Sequence, residues 1–80
     1  MTYEEEMIQT GLELVEAIKK EIQIENVFWV WEKTTYPMRL WVCLNKEAEF
    51  THISEWLKTE LPTEFGTFIL CPGNKILFIG

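Results

Sequence analysis

Apolar side chains recur at Ile8, Leu12, Val15, Ile18 and Ile22, with Met7 and Leu14 beside them. Steps of three and four put these positions on one face of a helix, so the spacing predicts an amphipathic helix over Tyr3–Ile22. Thr2 followed three residues later by Glu5 reads as a capping box, and Glu4, Glu5 and Glu6 set negative charge at the positive end of the helix dipole. The opposite stripe is polar, with Glu5, Gln9, Glu13, Glu16 and Lys20, and Glu16 and Lys20 are spaced as an i, i+4 ion pair.

Beyond Glu25 and Asn26 the pattern changes. Residues 27–34 and 38–45 are rich in Val, Trp and Phe and flank Thr35-Tyr36-Pro37, a turn signal. They form a hairpin with residues 34–37 as its loop, a register that sets Glu32 opposite Arg39 as a cross-strand charge pair. Val27, Trp29, Trp31, Leu40, Val42 and Leu44 then share one face, and Phe28, Val30, Glu32, Arg39, Trp41 and Cys43 the other. The first face is the core.

Helical spacing returns at Phe50, Ile53, Leu57 and Leu61, with Trp56 alongside. Thr51 is a candidate N-cap for this second helix, and Pro62 ends it near Leu61. Residues 66–71 and 75–80 make a second hairpin around Pro72-Gly73-Asn74. With those three residues as the loop, Phe68, Leu70, Ile76 and Phe78 face the core, while Thr67, Ile69, Cys71, Lys75, Leu77 and Ile79 face outward. A two-residue loop would shift that pairing.

The order α-β-β-α-β-β reads as an α+β fold, a two-layer sandwich with two helices packed on one face of a four-stranded, mainly antiparallel sheet. No linker, repeat or low-complexity stretch interrupts residues 1–80, which read as a single domain. The strand order is not legible.

Such a sandwich leaves one sheet face without helices, and a face of that kind usually alternates toward polar residues. Here it carries Phe28, Val30, Trp41, Cys43, Ile69, Leu77 and Ile79, relieved by Glu32, Arg39, Thr67 and Lys75. Apolar patches larger than a few hundred Å² mark interfaces, and Trp and Arg are enriched where binding energy concentrates. The candidate partner-binding residues are therefore Trp41 and Arg39, then Phe28, Val30, Ile69, Leu77 and Ile79.

Charge adds a second surface. Of 80 residues, 13 are acidic (all Glu) and 7 basic, a net charge of −6. Residues 1–23 hold six Glu and two Lys, and residues 47–64 hold five Glu and one Lys, so each helical segment is net −4 and each hairpin segment net +1. Glu5, Glu13 and Glu16 are candidates for an acidic docking surface, although solvated Glu faces are also common for solubility alone.

The inventory excludes several chemistries. Asp is absent, Ser54 and His52 are the lone residues of their types, and on a helix two residues apart they do not face each other. Cys43, His52 and Cys71 show no zinc spacing, and Gly11, Gly66, Gly73 and Gly80 form no phosphate loop. Both cysteines lie in apolar strand sequence and read as packing, His52 as a surface residue in the first turn of the second helix, and Trp29, Trp31 and Trp56 as core. No catalytic, cofactor-binding or metal site is indicated, and the chain reads as non-enzymatic.

An acidic chain with dispersed cations is not expected to bind nucleic acid directly, and apolar runs of five residues (27–31 and 40–44) are too short to span a membrane. Two cysteines and an acidic N-terminus point to a reducing compartment, the cytoplasm. The expected role is a small adaptor, regulator or inhibitor of another protein, with a basic surface among the candidate partners, or a self-associating domain. Two alternatives stand beside it: a nucleic-acid mimic that blocks a basic groove, and a homodimeric domain that binds a small ligand.

Overall fold

The computed structural model describes residues 2–34, 36–59 and 67–79. Helix α1 runs over Tyr3–Ile22, and the capping box closes as its sequence predicts. Thr2 Oγ1 accepts from Glu5 N (3.2 Å), while Glu5 Oε1 accepts from Thr2 N (3.3 Å). Gln23 adopts a left-handed conformation (φ 54°) and ends the helix.

The buried stripe of α1 is rotated from the one the apolar periodicity predicts. It runs through Gly11, Leu14, Val15 and Ile18, while Leu12 is 45% exposed. The cause is Trp31, whose ring lies against Gly11. A Cβ at position 11 would run into ring carbon Cζ2 and stand 2.8 Å from Cη2 and 3.3 Å from Leu40 Cδ2. Glycine alone lets the helix axis come this close to the sheet. The ion pair of Glu16 also differs from expectation, since its partner is Lys19 at 3.2 Å and not Lys20.

Strands β1 (Phe28–Glu32) and β2 (Arg39–Cys43) pair antiparallel in the predicted register, Glu32 opposite Arg39 and Trp29 opposite Val42. The loop end of this hairpin docks on the start of α1. Tyr3 Oη accepts from Met38 N–H (2.9 Å), the Tyr3 and Tyr36 rings lie 5.1 Å apart, and Lys33 Nζ lies 3.7 Å from Glu4 Oε1. The Tyr36–Pro37 peptide is cis.

Helix α2 spans Glu47–Thr59 and so begins four residues before Thr51, which is an internal position and not the N-cap. Lys46 O accepts the first helical bond, from Phe50 N (3.0 Å). The predicted helix end near Leu61 and Pro62 falls outside the described residues, as do Gly66 and Gly80 at the ends of the second hairpin. Within that hairpin, β3 (Thr67–Cys71) and β4 (Lys75–Ile79) join through Pro72-Gly73-Asn74 as predicted. Gly73 (φ 80°) and Asn74 (φ 59°) supply the left-handed turn.

The sheet order is β1-β2-β4-β3, antiparallel throughout. Strands β2 and β3 therefore run in the same direction, with α2 crossing between them and β4 slotted into the gap. That placement lets β4 bond on both sides, and its residues Ile76 and Phe78 are fully buried. One core forms between the helices and one sheet face: Leu14, Val15 and Ile18 from α1, Ile53 and Leu57 from α2, and Leu40, Val42, Ile76 and Phe78 from the central strands. Trp29, Trp31, Phe50, Trp56 and Phe68 pack around it. The protein is an α+β two-layer sandwich.

Candidate functional site

Strand alternation sends every second side chain away from the helices, and the observed registers stack those residues into rows across all four strands. The middle row is Val30, Trp41, Leu77 and Ile69. One flanking row is Glu32, Arg39, Ile79 and Thr67. The other is Phe28, Cys43, Lys75 and Cys71. All seven residues singled out for partner binding fall on this one face.

Their accessibility differs. Phe28 is 65% exposed, Val30 44% and Ile69 46%, whereas Leu77 is 7% exposed although no helix covers it. Leu77 sits in the centre of the face, crowded in register by Trp41 on one side and Ile69 on the other. It is a floor residue, which corrects its reading as an outward contact. Trp41, Arg39 and Ile79 are half-buried.

Trp41 is held in place by its neighbour on the diagonal. Its indole Nε1–H donates to Glu32 Oε1 at 2.5 Å, so the charged end of Glu32 orients the ring. Arg39, in register with Glu32, has its Nε buried without a hydrogen-bond partner. Phe28, Val30, Glu32, Trp41, Cys43 and Lys75 line a shallow depression of about 340 Å³. It is apolar in the middle, with Glu32 at one end and Lys75 at the other.

The two cysteines are free, half-buried and in the same row, but β4 separates them: each stands opposite Lys75. Two strand spacings of roughly 4.8 Å keep their backbones beyond disulfide reach.

The acidic candidates lie on the other side of the molecule. Glu5, Glu13 and Glu16 are exposed on α1, but Glu5 is engaged in the capping box and Glu16 with Lys19. Glu13, Glu16 and Lys20 flank Leu12 and Ala17 around a depression of about 540 Å³.

His52 sits in the second turn of α2, not the first, and its Nε2 lies 2.7 Å from Glu21 Oε2 on α1. This interhelical contact joins residues 31 apart, and nothing local in the sequence signals it. Gly11 was also missed, yet a glycine inside an otherwise regular amphipathic helix is a recognisable sign of close backbone approach. Among the described residues, no group of three or more His, Cys or Glu side chains could hold a metal ion, and no helix is long and apolar enough to cross a membrane.

No protein-family model matches the chain, and no curated protein or solved structure shows a significant match to it.

Proposed function

We propose that this chain is a non-enzymatic protein-interaction domain, an adaptor, regulator or inhibitor, whose binding surface is the helix-free sheet face. The observation that carries the reading is the middle row Val30–Trp41–Leu77–Ile69, an uninterrupted apolar band across four strands with Phe28 beside it in water. Natural sheets seldom leave such a band bare without a use for it.

The partner's chemistry follows from the charges around the band. At one margin Glu32 and Arg39 stand in register as opposite charges, and Glu32 also accepts from the uncharged Trp41 indole. Lys75 is exposed beside Phe28 and Cys43. The face is thus apolar, with a Glu32–Arg39 charge pair at one margin and Lys75 at the other, and the matching surface is apolar with a carboxylate placed to meet Lys75. Trp41 and Arg39 are the anchors, and Phe28, Val30, Ile69 and Ile79 the surrounding contacts.

The test compares proteins captured from a cell extract by the native chain, by Phe28→Glu and by a Glu13→Lys/Glu16→Lys double variant, with circular dichroism as the check on folding. Phe28 is exposed enough for Glu to be tolerated. The reading predicts a protein held by the native chain and the double variant and released by Phe28→Glu. Retention by Phe28→Glu, with loss on the double variant and a steep dependence on salt, would move binding to the acidic helices and favour nucleic-acid mimicry.

A further inference from the structure

We propose that a second copy of this chain pairs antiparallel along the outer edge of β3, around a two-fold axis at Ile69, to form a continuous eight-stranded sheet. This goes beyond the partner-binding reading and does not depend on it. Strand order makes β1 and β3 the two edges of the sheet, and among the described residues nothing pairs with the outer side of β3.

The two edges are not equivalent. Soluble proteins protect edge strands with charge, proline, bulges or a covering element. β1 carries a charge in its last residue, Glu32, and Lys33 just beyond it is turned toward Glu4 of α1. β3 reads Thr-Phe-Ile-Leu-Cys, with no charge or proline within the strand and Pro72 only in the turn after it, and it keeps five consecutive pairs with β4 without a bulge. It also exposes apolar side chains on both faces. Ile69 is 46% exposed on the helix-free side, and Leu70 is 37% exposed on the side where the helices lie. Leu70 is expected in the core, but the helices cover its cross-strand partner Ile76 completely and Leu70 only in part.

A second copy satisfies this edge with its own residues. Antiparallel pairing about Ile69 sets Thr67 against Cys71 of the second copy, Phe68 against Leu70, and Ile69 against Ile69. Each pair is uncharged, so no like charges meet, and each exposed Leu70 gains a Phe68 beside it. The middle apolar row then runs unbroken through both copies, from one Val30 to the other. Edge pairing of five residues lies at the small end of the interface range, which makes the dimer reversible and dependent on concentration.

Sedimentation velocity across the micromolar range tests this. The proposal expects the mass to rise from 9.5 kDa toward twice that value. Leu70→Lys, at an exposed position, should weaken association about tenfold or more by setting two lysines beside apolar neighbours at the joint, while Trp41→Ala should leave it unchanged. A native chain that stays monomeric throughout overturns the proposal. So does association lost on Trp41→Ala and kept by Leu70→Lys, which would mean the copies stack through their open faces. Thr67→Cys gives a separate reading that does not depend on tolerating Lys. Mild oxidation should join position 67 of one copy to Cys71 of the other, and mass spectrometry of the peptides should find that link. Cross-links found only through Cys43 contradict the register.

Discussion

Gly11 shows how one missing side chain sets the geometry of a layer. Placing a methyl group there meets the Trp31 ring and Leu40, and either the ring or the helix must move. Overpacking of this kind costs about 1–3 kcal/mol, and Ala returns about 1 kcal/mol of helix propensity. Gly11→Ala is therefore expected to bring no gain and to lower stability by up to about 2 kcal/mol in urea unfolding, against the usual benefit of replacing a helical glycine. Leu12 and Leu14 make a matched pair for the rotation of the α1 stripe. Leu14→Ala should cost about 2–5 kcal/mol as a core cavity, and Leu12→Ala about 0.5 kcal/mol or less as a surface change. Equal losses at the two positions would place the helix as the apolar periodicity alone reads it.

At the scale of elements, the sequence was most legible where local chemistry and periodicity agree. Both hairpin registers could be read because turn residues bound strands whose faces alternate, and the α1 cap because Thr2 and Glu5 are three apart. The start of α2 was misread because its first turn, Glu47-Ala48-Glu49, contributes no large apolar residue, while Thr51 offers a plausible cap downstream. The α1 stripe was misread through Leu12 because periodicity counts side chains, and Gly11 has none to count. Strand order and the His52–Glu21 contact join residues far apart in sequence, and no local pattern encodes them. The second hairpin offers its own check. Gly73 sits at φ 80°, and an added Cβ would meet Lys75 Cε at 3.8 Å, an ordinary contact, so the conformation and not crowding demands glycine. Gly73→Ala should destabilise by about 1 kcal/mol. A neutral outcome would mean a different turn and hence a different β3–β4 register.

The whole molecule has two unlike sides. The helical segments carry the net negative charge, and the sheet side carries an apolar band with Glu32 and Arg39 at one margin and Lys75 at the other. The face itself was legible in the sequence once both registers were read. What was not legible is that Leu77 is sunk between its neighbours, which depends on β4 lying beside β2, and that the Trp41 ring is pinned by Glu32, which depends on side-chain orientation within the first hairpin. The central claim is that the helix-free face, and not the helix layer, is where this protein binds. The measurement that tests it most directly is a nuclear magnetic resonance titration of the labelled chain with the protein it captures, following the Trp41 indole N–H and the backbone amides. The account predicts shifts concentrated at Trp41 Nε1–H, Phe28, Val30, Arg39 and Ile69. Shifts confined to Glu5, Glu13, Glu16 and the rest of α1 and α2, with the Trp41 signal unmoved, would contradict it.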